Sequence, residues 1–156
     1  MRVPYGASVL VTDGSKALFL RNEGDASFPD FRLVDKWEQK VPADRELKSS
    51  GPGRAFSSFD HGTRRSAYDD ADFHEQAEVE FTSRVADFLN EQAELKALEE
   101  LIIIAPSRTL GTLRKQVSGA VSKRVTAEVP KDLVKHPVAA IEQLLQAYPQ
   151  NAPSGA

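Results

Sequence analysis

At 156 residues the chain is long enough to bury one substantial core and too short for two comfortable domains. Its 40% hydrophobic and 28% charged residues are ordinary for a globular protein, the net charge of −3 demands no polyanionic partner, and the lack of cysteine excludes disulfides, thiolate ligands and a cysteine nucleophile. The opening MRVPYGASVLV lacks the basic start and long apolar centre of a signal peptide, and the longest apolar run, Leu101–Ala105, is far short of a membrane span. The chain is therefore expected to be cytoplasmic and soluble, with no membrane partner.

Ala7–Thr12 is a β-rich run stopped by Asp13-Gly14, and Lys16–Arg21 returns as a second strand, because a primed hairpin turn needs positive φ at its centre. After a turn around Gly24, Phe31–Gln39 alternates imperfectly through Phe31, Leu33, Asp35 and Trp37 and reads as a third, edge strand. From Lys40 to Asp72 no helical or strand period is sustained, and a loop of that length in a small domain is generally functional or disordered. His74–Leu95 carries Ala77, Phe81, Val85, Phe88, Leu89 and Gln92 at helical spacing, with Asp69, Asp70 and Asp72 suited to its positive N-terminus. Leu101–Ala105 is an uninterrupted β-branched run, the pattern of a strand buried on both faces. Arg108 to about Gly119 reads as a short helix capped by Ser107 or Thr109. Lys123–Val129 reads as a fifth strand, and a last helix has Pro137 in its first turn. Residues 1–148 form one domain, and 149–156 a polar tail.

The order β-β-β-α-β-α-β-α, with right-handed crossovers, places the first strand beside the fourth. The result is an α/β fold of ribonuclease-H-like type, a mixed five-stranded sheet in the order 3-2-1-4-5 with helices on its faces.

Chemistry is sparse. A ribonuclease-H-type nuclease needs clustered carboxylates to hold divalent metal, but Asp13 is explained by its turn and the fourth strand ends in Ala105-Pro106-Ser107, without an acid. His61, His74 and His136 are dispersed, so no metal, no cofactor and no catalytic residue is assigned. Ser57 or Ser58 near Asp60 and His61 suggests a triad only by adjacency in sequence, which is no evidence of geometry. Charge is more informative. Residues 67–80 carry six acids and no Lys or Arg, whereas residues 108–135 carry seven Lys or Arg against Glu128 and Asp132. In the central loop Gly51, Gly53 and Arg54, with Arg64 and Arg65, suit close approach to phosphate, and Phe56 suits stacking on a base. Arg108, Arg114 and Lys115 extend this surface, since open α/β sheets place ligands at strand C-terminal ends.

The opening strand with its DG turn and KALFL, the GPGRAFSS loop, DDADFHEQAEVEFTSRVADFL, LIIIAPSRTLGTLRK and VPKDLVKHP together resemble the bacterial family of proteins required for attachment to host cells, over about Ser8 to Tyr148. That family is in turn similar to the middle domain of archaeal and eukaryotic peptide-chain release factors. There, the loop between the third strand and the first long helix carries a Gly-Gly-Gln tip that enters the peptidyl transferase centre. Lys40–Asp72 holds the corresponding place but has no Gly-Gly-Gln and no glutamine, so peptidyl-tRNA hydrolysis by that route is not expected. Three readings remain. One is a non-enzymatic binding module contacting RNA or the ribosome. Another is a protein-interaction factor that affects host attachment indirectly, and the third a weak hydrolase using the loop, where Ser57 and His61 lie.

Overall fold

The computed structural model describes residues 1–39 and 59–149, and over 59–72 it describes the backbone alone. Among the described residues nine elements follow one another: β1 (Ser8–Thr12), β2 (Lys16–Asn22), β3 (Phe31–Glu38), α1 (Phe59–Glu94), β4 (Leu101–Ile104), α2 (Ser107–Gln116), α3 (Gly119–Ser122), β5 (Val125–Val129) and α4 (Val138–Ala147). The sheet order is β3-β2-β1-β4-β5. The β1–β2 and β2–β3 pairs are antiparallel, and β1–β4 and β4–β5 are parallel. This is the mixed α/β sheet that the crossover argument gives, with β1 and β4 central and buried throughout.

Alternation along the strands divides the core into two layers. Val9, Val11, Leu18, Leu20, Ile102 and Ile104 face α4, where Ile141 and Leu145 meet them. Leu10, Phe19, Leu101 and Ile103 face α1 and α2, where Phe81, Leu89 and Leu113 meet them. The β1–β2 connection is a two-residue turn in which Gly14 has φ +92° at the first central position, the place where glycine avoids a Cβ clash. The Asp13 carboxylate accepts hydrogen bonds from the Ser15 and Lys16 N–H groups and the Ser15 hydroxyl, so it is consumed by the turn.

The imperfect alternation of β3 has a physical cause. Opposite Phe19 and Leu20 stand Asp35 and Leu33, so Val34 is an extra, unpaired residue. Such a bulge exchanges the two faces of the strand beyond it. Phe31 and Leu33 therefore lie on the α4 side, whereas Trp37, opposite Ala17, lies on the α1 side and packs edge-on against Phe88 at 4.6 Å between ring centroids.

The largest departure from expectation is the start of α1. The helix begins at Phe59, not near His74, so the part of the expected loop from 59 to 72 is helical. Asp69, Asp70 and Asp72 then lie inside the helix and not at its N-terminus. Helices elongate at one hydrogen bond per ordered residue once a turn exists, so a stretch without an apolar period extends a helix nucleated elsewhere. Two smaller corrections concern caps. Pro106, not Ser107 or Thr109, holds the N-cap of α2, with no side-chain cap bond. Pro137 is likewise the N-cap of α4 and not a first-turn residue. The strand expected from Lys123 begins at Val125, because Gly119–Ser122 forms a separate helical turn capped by the Ser118 side chain. Among the described residues no helix is long and apolar enough to cross a membrane.

Candidate functional site

The C-terminal ends of β1, β4 and β5 lie at one end of the sheet, and α1 passes over that end at residues 75–78. Gly14 of the β1–β2 turn approaches Glu78 so closely that an added Cβ would stand 3.4 Å from the Glu78 side chain. The Gln39 amide donates to the Ala77 carbonyl, bringing the end of β3 to the same turn of helix. The Arg108 guanidinium, at the start of α2, pairs with Glu75 at 2.7 Å. Ala77 is the first buried residue of the described side chains of α1, and Phe73–Gln76 are exposed. The helix therefore continues N-terminally past the strand ends for its first eighteen residues, about 27 Å at 1.5 Å per residue.

Helix α2 starts beside Glu75 and runs back along the packed part of α1, where the Asn90 side chain donates to the Gln116 carbonyl and accepts from the Ser118 N–H. Its sequence SRTLGTLRKQ contains Arg108, Arg114 and Lys115 and no acid. Thr109, Leu110 and Leu113 are buried against the sheet layer, which leaves Arg108 and Lys115 exposed. Arg114 is committed differently from the other two. Its Nε and a terminal nitrogen both reach Glu128 of β5, at 3.0 and 2.5 Å, and the Glu128 side chain is only 10% exposed. The hydrogen bond to Glu128 pushes the Arg114 pKa up from its ordinary value. The pair closes a crevice of about 160 Å³ floored by Ile103, Leu113, Val117 and Val125. Gly111 sits in the middle of α2 with nothing within 4 Å of the place its Cβ would take. A glycine there costs about 1 kcal/mol of helix stability relative to alanine.

Of the residues singled out by sequence, Arg108, Arg114 and Lys115 are brought onto one helix, with Arg108 at the strand C-terminal ends and Lys115 at the far end of the helix. His61, Arg64 and Arg65 fall on the backbone-described part of α1. Gly51, Gly53, Arg54, Phe56 and Ser57 lie outside the described residues, and so do both candidate serines of the serine–histidine arrangement. Among the described residues no group of three or more His, Asp or Glu is placed to hold a metal ion. Sequence reasoning missed Glu75 and Glu128 as the partners of Arg108 and Arg114, because pairing between distant elements leaves no local pattern. Gly111 did have a signal, a glycine inside an amphipathic helical stretch.

Two comparisons bear on this arrangement. The model of a family described as bacterial archaeo-eukaryotic release factor family 12 matches residues 7–145. An uncharacterized protein of Rickettsia prowazekii (strain Madrid E) is 45% identical over 49 residues, 31% of this chain and 33% of the relative, so the match spans about a third of that protein's length. The family match carries the release-factor part of the resemblance seen in the sequence, and neither comparison carries the host-attachment name.

Proposed function

The chain belongs to bacterial archaeo-eukaryotic release factor family 12, and from that premise we propose that it is a translation-related, non-enzymatic binding module that contacts RNA of the ribosome in the cytoplasm. One observation carries the reading: α1 runs on N-terminally from Glu75, where it meets Arg108 at the start of α2, and the second exposed cation of that helix, Lys115, follows about 10 Å further along its axis. Arg64 and Arg65 are on that extension, and Arg54 precedes it in the chain. An arginine cluster of this kind suits phosphate, because guanidinium groups donate two parallel hydrogen bonds to one anion. No Gly-Gly-Gln stands between β3 and α1, so binding without peptidyl-tRNA hydrolysis is the activity assigned.

The test is sedimentation of the protein with bacterial ribosomes through sucrose at low and high salt, comparing the wild type with a variant carrying Arg54→Ala, Arg64→Ala and Arg65→Ala. Comigration that weakens with salt and is lost in the variant is expected. Removing three phosphate contacts lowers the slope of log affinity against log salt by about 2 to 3. Migration at the top of the gradient in both salts overturns the reading and moves the weight to a protein partner, the role that the host-attachment resemblance implies.

A further inference from the structure

We propose that Gly111 is a contact point for the sugar-phosphate backbone of RNA, seated on the outward stripe of α2, where half-buried Gly111 and Thr112 lie between exposed Arg108 and Lys115; the inference deepens the reading above and rests on it. Positions 108, 111, 112 and 115 are spaced three, four and seven residues from the first and so share one face of the helix. The opposite face, with Thr109, Leu110 and Leu113, is buried. Among the described residues nothing asks for glycine at 111. Its φ is not in the left-handed region, and a Cβ would meet no atom within 4 Å. Glycine also weakens the helix that carries it. What a missing side chain does provide is a low point on the surface, where another chain's backbone can approach the helix closely.

Charge identifies the occupant. Helix α2 has three cations and no carboxylate, and among the described residues Lys115 has no ion-pair partner. Arg108 is paired, but its side chain is 64% exposed and that of Glu75 is 58% exposed. So open a pair is held weakly and yields its guanidinium to an incoming phosphate. Arg108 and Lys115 are about 10 Å apart along the helix axis. Two phosphates of one strand meet the two cations with the strand crossing Gly111 between them.

The experiment measures thermal stability and affinity for purified bacterial ribosomes over a salt series, for the wild type, Gly111→Ala, Gly111→Gln and Gly119→Ala. Gly119 is the control, since it too has nothing within 4 Å of its Cβ position but lies off the stripe. Both Gly111 variants are expected to melt higher than the wild type, because alanine and glutamine favour a helix interior over glycine. Gly111→Gln is expected to weaken ribosome binding about tenfold at every salt concentration, with the salt slope unchanged because no charge is lost. Gly111→Ala weakens it less, and Gly119→Ala leaves it at the wild-type value. A more stable protein that binds less well cannot be explained by unfolding. Wild-type affinity in Gly111→Gln overturns this inference alone, whereas failure of the wild type to bind overturns it together with the function proposed above.

Discussion

From Ala77 to Glu94 helix α1 lies on the sheet, whereas its earlier part, from Phe59 to Gln76, has no apolar period in its sequence and is exposed where its side chains are described, at Phe73–Gln76. The packed half presents Ala77, Phe81, Val85, Ala86 and Leu89 to the core, each less than a tenth exposed. The other half contains Gly62, Ser66, Asp69, Asp70 and Asp72, all poor helix formers in a helix interior. Both halves have the same backbone conformation, reached for different reasons. Packing of an apolar face holds one, and continuation from an existing helix holds the other. A helix therefore need not show amphipathic spacing along its whole length, and the unspaced part is free to carry residues chosen for something other than folding.

Three substitutions, two in α1 and one at the end of α2, sharpen or break the contrast. The largest effect is expected from Leu89→Ala, which removes a wholly buried side chain from the α1 layer. Large-to-small changes of this kind cost about 2–5 kcal/mol, so the urea midpoint should fall markedly. A small shift would mean that the packed half is not what anchors the helix. Next comes Arg114→Ala at the end of α2, which strands the nearly buried Glu128 carboxylate without its partner. About 1–3 kcal/mol of lost stability is expected. Because the loss comes from an unpaired buried charge, adding Glu128→Leu should recover much of it, and a double-mutant cycle checks this. The smallest global effect belongs to Gly62→Ala, in the half without an apolar period. It should favour the local helix by about 1 kcal/mol, slowing amide exchange over 59–72 while leaving the urea midpoint of the domain in place. A midpoint that rises with it would show that the two halves melt as one unit and would break the comparison.

The same contrast explains how much could be read from the residues alone. The central strands announced themselves, β1 and β2 through the Asp13-Gly14 turn and β4 through its unbroken Leu101–Ile104 run, because burial on both faces allows nothing else. The packed half of α1 was legible from Phe81, Val85 and Leu89 for the same reason. Residues 59–72 were not, since no apolar face marks them. The bulge at Val34 was visible only as a faulty alternation, whose meaning depends on the partner strand. Arg108, Arg114 and Lys115 were correctly grouped, yet sequence treated them alike. In space Arg114 is fixed to Glu128, Arg108 is loosely paired and Lys115 has no ion-pair partner among the described residues. That distinction comes from β5 and α1, elements remote in the chain.

The parallel pairing of β1 with β4 has a consequence for the chain while it is being made. Val9 and Val11 of β1 line up with Ile102 and Ile104. The hairpin partner β2 arrives within a few residues, but β4 leaves the ribosome about ninety residues later, roughly 5–20 s at ordinary elongation rates. Throughout that interval one edge of an apolar strand stays unpaired, an open template for other nascent chains. The nascent domain thus has its greatest need of chaperone protection between the emergence of β3 and that of β4.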